Sequence, residues 1–320
     1  MGFGTFIALA THNGAKYIDG QLESLLGQTV SDWTLLIRDD ASTDDTPDII
    51  RAYAGRDPRI RELERHGSST PSAKQAFARL LEAARGMGAD VVFCCDQDDV
   101  WAPDKLEKVL ERLQGIKGPA LVHHDLQVVD QGLEPISESF WELLHLKPGD
   151  QARPQRLLSR NEVTGCALAV NRALLEIALP IPREAIMHDW WLALFAAYFG
   201  ELTAMPDRLV KYRQHEANVI GAKSFWHGLN PFNNWGQGWK AGNREFLETV
   251  AQARSFRTAV RDRLDFEPGQ ASILDGYCEL PRAGRRQRLA ALKGCGLWRD
   301  QWLLDTVLTL RLLLLPREKK

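Results

Sequence analysis

Short apolar runs separated by helix-periodic segments fill the first third of the chain. "GTFIALA" at 4–10, "WTLLI" at 33–37, "RIREL" at 59–63 and "VVFCC" at 91–95 read as strands. The segments at 15–27, 47–54, 72–86 and 103–114 carry the 3.6-residue period of amphipathic helices. Strands alternating with helices imply crossover connections and a mostly parallel sheet flanked by helices, and the nearly unbroken apolar strands agree with burial on both faces. From about residue 119 the pattern changes. "PALVHHDLQVVD" reads as a further strand with His123 and His124 as structural residues, and "VTGCALAV" as a turn leading into a strand. "MHDWWLALFAAYFG" is apolar enough for a buried helix.

Two helix starts repeat one device. "STDDTPDII" offers Asp44, Asp45 or Thr46 as N-cap ahead of Pro47, and "WAPDKLEKVL" places Pro103 in the same role. Each follows a strand that has just delivered acidic residues, in "IRDDASTD" and in "CCDQDD". Ligands of open parallel sheets sit beyond the carboxyl ends of strands, so both segments are expected at one crevice.

That second segment sets three carboxylates, Asp96, Asp98 and Asp99, within four positions directly after an apolar run. Like charges so close repel, and burying any of them without a partner is unfavourable, so a cation is expected nearby. Clustered aspartates offer hard oxygen ligands for Mg²⁺ or Mn²⁺, ions that bridge carboxylates to substrate phosphates. The competing reading is that Asp98 and Asp99 only cap the helix near Pro103. A second acidic pair, Asp39 and Asp40, after another strand favours the composite site. A signalling receiver domain would also carry an acidic pair there but would leave most of the chain unexplained.

Composition narrows the partners. With 320 residues and 44% hydrophobic content the chain holds a substantial core, and 40 basic against 42 acidic residues give no excess that would draw it to nucleic acid. Five cysteines in no metal-type spacing suit a reducing compartment, and the N-terminus shows no signal-peptide pattern, so a cytoplasmic protein is expected. "LWRDQWLLDTVLTLRLLLLPREKK" is interrupted by Arg299, Asp300, Asp305 and Arg311, so it falls short of the ~20 apolar residues of a spanning helix. It reads as an amphipathic helix that lies either on a membrane or on the protein's own core. A composition shift places a boundary near 221.

In order and separation, "LATHNG", "LLIRDDASTDDT", "FCCDQDDVWAPDKL", "VTGCALAVNRALL", "MHDWW" and "YRQHEANVIG" resemble the inverting family 2 glycosyltransferases, and among them the bacterial rhamnosyltransferase-like members that build O-antigen and related cell-surface polysaccharides. The resemblance covers roughly residues 4–221. It implies a GT-A type fold, a nucleotide-sugar donor and Mn²⁺ or Mg²⁺. Residues 1–221 would form the catalytic domain, and 222–320 a mainly helical C-terminal appendage that caps the acceptor side or docks on a membrane. Thr11, Asn13 and Gly14 would line the nucleotide pocket, Asp39 or Asp40 would read the base, and Asp96, with Gln97, would hold the ribose side of the donor. Asp98 and His215 would ligate the metal, and Arg213 would reach a phosphate oxygen or make a surface ion pair.

The resemblance gives Asp189 the role of general base, with N-capping as a compatible second role. Thr164, Gly165, His188, Trp190 and Trp191 are candidates for acceptor or sugar contacts, the two tryptophans competing with a core role. The implied donor is dTDP-rhamnose or a UDP-sugar, and the acceptor a glycan precursor, lipid-linked at the cytoplasmic membrane face. His12, where close relatives place Tyr, and Gln75, where they place Asn, depart from the pattern. A nucleotidyltransferase would share the acidic strand ends but should show a Gly-rich phosphate loop, of which "ATHNGAKY" is a poor version. A non-catalytic binding module would lack the base.

Overall fold

The structure is a computed structural model that describes residues 4–63, 72–148, 154–215, 235–261, 263–294 and 302–318. Its strands are β1 (Thr5–Thr11), β2 (Thr34–Asp39), β3 (Ile60–Glu62), β4 (Val91–Asp96), β5 (Val100–Trp101), β6 (Ala120–Val129), β7 (Pro135–Ser137), β8 (Leu168–Asn171) and β9 (Glu201–Arg213). The helices are α1 (Ile18–Leu26), α2 (Thr46–Ala54), α3 (Ala73–Gly86), α4 (Lys105–Leu113), α5 (Phe140–Leu143), α6 (Arg172–Ala178), α7 (His188–Phe199), α8 (Trp235–Val260), α9 (Gln270–Glu279), α10 (Arg285–Gly294) and α11 (Trp302–Leu314). The boundary expected near 221, most of "YRQHEANVIG" and Cys295 lie outside the described residues.

One nine-stranded sheet runs in the order β3-β2-β1-β4-β8-β6-β9-β5, with β7 on the flank of β6. The expected parallel pairing holds from β3 through β4, whereas β8 runs antiparallel to both of its neighbours and β5 antiparallel to β9. The chain steps outward from β1 to β2 and β3, then α3 carries it back to β4 on the other side of β1. Strand order therefore reverses at β1 and β4, and a crevice opens beyond their carboxyl ends.

Alternation along the strands divides the interior into two layers. Ile7, Leu9, Leu35, Ile37, Phe93 and Cys95 face α1, α2 and α4, while Ala8, Leu36, Val92 and Cys94 face α3, α6 and α7. Side chains of α8, α9 and α11 join the second layer, so the C-terminal helices share its core. Phe256 of α8 is the hinge of that union, with its ring 5.0 Å from Phe195, 5.3 Å from Tyr198 and 6.0 Å from Trp191 of α7.

Two local features aim the last strand. Gly200 ends α7 where an added Cβ would lie 2.0 Å from the Pro119 carbonyl oxygen, so only glycine allows α7 to turn directly into β9. Farther along, the register with β6 jumps from His124↔Met205 to Asp125↔Arg208, so Pro206 and Asp207 stand out of the ladder and proline withholds no required donor. β9 then runs to the crevice and delivers Arg213 and His215 there.

Phe256→Ala should lower unfolding free energy by about 3–5 kcal/mol, the range for deleting a fully buried phenyl ring. Urea titration followed by tryptophan fluorescence measures it; a loss under ~1 kcal/mol would mean that α8 contributes little to this core.

Candidate active site

Strand register sets the residues of the crevice at one level: Thr11 is opposite Asp39, and Ala10 opposite Asp96. Beyond β1 the chain turns sharply, with Asn13 at φ 50°, in the left-handed region that asparagine tolerates better than most residues. Its Oδ1 accepts the Thr43 backbone N–H at 2.8 Å, and its own N–H donates to Ser42 Oγ at 2.7 Å, which ties the loop after β1 to the loop after β2. Gln97 closes the other side. Its Oε1 accepts from Thr11 Oγ1 at 2.6 Å and from His12 N at 2.8 Å, while its Nε2 donates to the His12 carbonyl at 3.1 Å. A Cβ on Gly14 would lie 2.3 Å from Gln97 Oε1, so glycine here is a matter of room.

Thr11, Asn13, Gly14, Asp39, Asp96 and Gln97 thus come together, but the polar groups of Thr11 and Gln97 are engaged with each other and the loop. Of the acidic pair, Asp40 is buried, 3.1 Å from Arg38 Nε, and accepts the Ser72 N–H at 3.1 Å. Asp39 stays half-buried at the strand end, bonded to Ser42. The N-cap expected at α2 takes a different form: Asp44 Oδ1 accepts from Thr46 N at 3.1 Å and Oδ2 from Ala15 N at 3.1 Å, so the acid also braces the loop after β1.

Across the crevice, Asp98 and His215 meet although 117 positions separate them: Nε2 lies 2.6 Å from Oδ2, with side-chain exposures of 9% and 13%. The imidazole stacks on Tyr17, centroids 5.0 Å apart. Arg213 braces the same turn from below, its N–H donating to Asp99 Oδ1 at 3.1 Å and its Nε to the Asp98 carbonyl at 2.8 Å, with the guanidinium 4.7 Å from the Tyr17 ring centroid. Arg213 is 6% exposed and holds the turn that carries Asp98, so its visible work is structural.

Asp99, Cys166 and Lys105, to which the resemblance assigned no role, lie buried under it. Asp99 is fully buried, and ligand atoms of Asp96, Asp99 and Cys166 fall within 4.8 Å of one another, a possible acidic metal-binding group. Burial, then Asp98 and Asp96, push the Asp99 carboxyl well above its ordinary range, and burial likewise raises the Cys166 thiol. A neutral thiol is a poor partner for a hard ion, so the trio reads better as the floor of the site, with Asp98 and His215 as the oxygen and nitrogen donors nearer its mouth. Those two donors suit Mn²⁺, and their 2.6 Å approach allows one ion to bind both with little rearrangement.

Lys105 answers the charge question raised by the acidic run. It is fully buried at the start of α4, its Nζ donating to the Cys166 carbonyl at 2.8 Å and lying 3.5 Å from the Trp101 ring centroid. Burial draws its ammonium down to about 8, so it still carries its proton through most of the neutral range. Its charge acts against the rise of the Asp96 carboxyl, which burial, Asp98 and Asp189 drive up. A lysine opening a helix opposes the helix dipole, and this mismatch in "PDKLEKVL" is the sequence signal that marks it.

Asp189 sits in the first turn of α7, 5% exposed, accepting the Trp190 N–H at 2.6 Å. Met187, not Asp189, occupies the N-cap position. Burial lifts the Asp189 carboxyl to about 6, while bonds from Trp190, Asn161 and Gly165 hold it down, and its charge is felt at Asp96. Thr164 and Gly165 form the turn beside it, Gly165 with room for no more than His188, whose Nε2 would be 3.1 Å from an added Cβ. His188 itself is turned inward, stacked on Phe77 at 3.9 Å, and burial keeps it neutral by pulling it down to about 3. The sugar-contact expectation for Trp191 is corrected. It is 1% exposed among Phe195 and Phe256, with its indole N–H on the Ala178 carbonyl, because an all-apolar α7 must bury every side. Trp190 is likewise held inward, donating to the Leu157 carbonyl at 2.5 Å.

Known proteins resemble this chain in sequence and in fold. The family model for glycosyl transferase family 2 matches residues 6–174. An uncharacterized glycosyltransferase of Nostoc sp. is 30% identical over 223 residues, a span of 66% of this chain and 65% of the relative. The dTDP-rhamnosyl transferase RfbG of Shigella flexneri is 27% identical over 224 residues, covering 67% of this chain and 74% of its own. Among solved structures, the mannosyltransferase PcManGT from Pyrobaculum calidifontis, in complex with GDP-Man and Mn²⁺, superposes with a TM-score of 0.53 at 18% identity over 98% of this chain and 81% of that one. The fold is of the GT-A type.

Lys105→Met keeps the apolar stem and removes the only buried ammonium among the described residues of this floor, leaving the Cys166 carbonyl without its donor. A loss of about 1–3 kcal/mol is expected at neutral pH. Thermal scans should also show a larger stabilisation by Mn²⁺ than in the wild type, since the carboxylates then lack their internal cation; equal Mn²⁺ responses would remove Lys105 from the charge balance.

Proposed function

This chain belongs to glycosyl transferase family 2, and on that premise we propose that it is an inverting, metal-dependent glycosyltransferase acting on a cell-surface glycan precursor. The observation that carries the reading is the meeting of Asp98 and His215 at 2.6 Å, on the same edge of the sheet as the buried carboxylate of Asp189. A divalent ion held by these two side chains would act as a Lewis acid for the diphosphate of a nucleotide-sugar. Asp39 and the loop after β1 bind the nucleoside side of the donor, and Asp96 its ribose.

Asp189 takes the acceptor's hydroxyl proton as that oxygen attacks the anomeric carbon. The new carbon–oxygen bond forms on the face opposite the departing nucleoside diphosphate, so the configuration inverts and no covalent enzyme intermediate is required. Burial suits Asp189 to this work: a carboxyl near 6 is ionised at neutral pH yet more basic than an exposed one, and its bonds to Trp190 and Gly165 fix its direction. The name of the Shigella relative supports L-rhamnose from dTDP-rhamnose as the donor. A lipid-linked glycan at the cytoplasmic membrane face is the acceptor consistent with this chemistry.

Calorimetric titration with dTDP-rhamnose, UDP-glucose, UDP-galactose and GDP-mannose, each with Mn²⁺ and with EDTA, tests the donor. One donor should bind in a metal-dependent way, and both Asp98→Ala and His215→Ala should weaken that binding at least ~10-fold. Metal-independent binding, or none, would sink the donor site.

The base has its own signature. Asp189 must be ionised to accept a proton, so kcat/KM should fall as pH drops through about 6 and level off above it. Asp189→Asn should retain donor binding and reduce kcat by about 10²–10⁴-fold. A variant that binds no donor would point to a structural role for the residue instead.

A further inference from the structure

We propose that α10 and α11 together form a docking surface for an anionic lipid bilayer. The two helices are antiparallel neighbours, clamped by Arg288, which is 1% exposed and donates to the carbonyls of Leu280 and Pro281 at 2.8 Å and of Leu312 and Leu315 at 2.9 and 2.6 Å. This clamp sets the first turn of α10 beside the last turn of α11. The pair is thus a fixed platform on the body of the protein.

α11 has two apolar stripes. Leu308, Leu312 and Leu315 lie in the core, and Arg311 fills the space over Gly242 of α8. The other stripe, Val307, Leu310 and Leu314, recurs at i, i+3 and i+7 and is 42%, 44% and 59% exposed. A helix that only docked on its own protein would be polar on that side. Such a stripe belongs at an interface.

Charge selects the occupant. On α10, Arg285 and Arg286 share an exposed face with Leu289, at i, i+4 and i, i+3. Arg317 follows α11, and a Cβ on Gly284 at the start of α10 would lie 3.3 Å from its guanidinium. Glu318 is occupied by Arg254 and Arg282, and no ion pair joins Arg285, Arg286 or Arg317 to any described residue. Exposed leucines beside uncompensated arginines match the acyl boundary and headgroups of an anionic leaflet. No described helix is long and apolar enough to cross a membrane, so contact would be at the surface.

The experiment sediments the full chain with vesicles of phosphatidylglycerol and phosphatidylcholine in equal parts, and with phosphatidylcholine alone. Binding to the mixed vesicles only is expected, reduced about tenfold or more by Arg285→Ala/Arg286→Ala and by added salt. Leu310→Glu/Leu314→Glu should abolish it while metal-dependent nucleotide-sugar binding on the same sample stays intact, which also verifies folding. Absent or equal binding to the two vesicle types overturns the proposal. So does light scattering that finds a wild-type dimer made monomeric by the leucine variant, since a second copy would then cover the stripe. Failure of the donor reading would appear separately, as a wild type that binds vesicles but no nucleotide-sugar.

Discussion

Three carboxylates at the end of one strand are the constraint around which the site is arranged. Asp96, Asp98 and Asp99 cannot share so small a volume as free anions, and each is handled differently. Asp99 is buried and pushed toward its neutral form, with Arg213 N–H on one oxygen. Asp98 is turned to an imidazole brought from the far end of β9. Asp96 lies between, opposed from below by the ammonium of Lys105. The cation needed by the acidic run is thus partly internal, and on the proposed reading a divalent ion would complete the compensation rather than supply all of it.

The sheet makes that compensation possible. Parallel β1, β2 and β4 end at one level, so their loops interlock through Asn13, Ser42, Thr43 and Gln97 before any ligand is present. The other half serves a different purpose: β8 is reversed, but β6 and β9 run parallel to each other and in the same sense as β4, so β9 ends, with His215 just beyond it, at the carboxyl edge of the parallel strands. Gly200 and the bulge at Pro206 are the local conditions for its course. The candidate site residues Asp98, His215 and Asp189 consequently come from a turn, the end of a strand and the start of a helix, while the elements between them are packed core.

What was legible in the sequence follows from range. The alternation of strands and helices through residue 113, the acidic strand ends and the buried helix with Asp189 are local patterns, and they reappear with shifts of up to three residues. The partnership of Asp98 with His215 came from the resemblance, because no local rule links positions 117 apart. Lys105 and Cys166 escaped because their importance lies in what they face across the sheet, although a lysine opening a helix was a visible irregularity. Gln97 and Arg213 show the opposite case. Their residue types suited ligand contacts, yet geometry engages them in holding loops, and Trp191, two positions after Asp189, proved to be core once α7 was closed in by α8.

The C-terminal helices extend the same logic of divided faces. The sequence of α11 permits docking on the protein or on a membrane. A helix has two sides, and here the stripe of Leu308, Leu312 and Leu315 satisfies the first reading while that of Val307, Leu310 and Leu314 stays available for the second. Because α8 packs on α7, whose first turn carries Asp189, a surface held by α10 and α11 is joined to that carboxylate through continuous core contacts. Docking there would therefore set the orientation of the catalytic edge relative to whatever surface presents the acceptor.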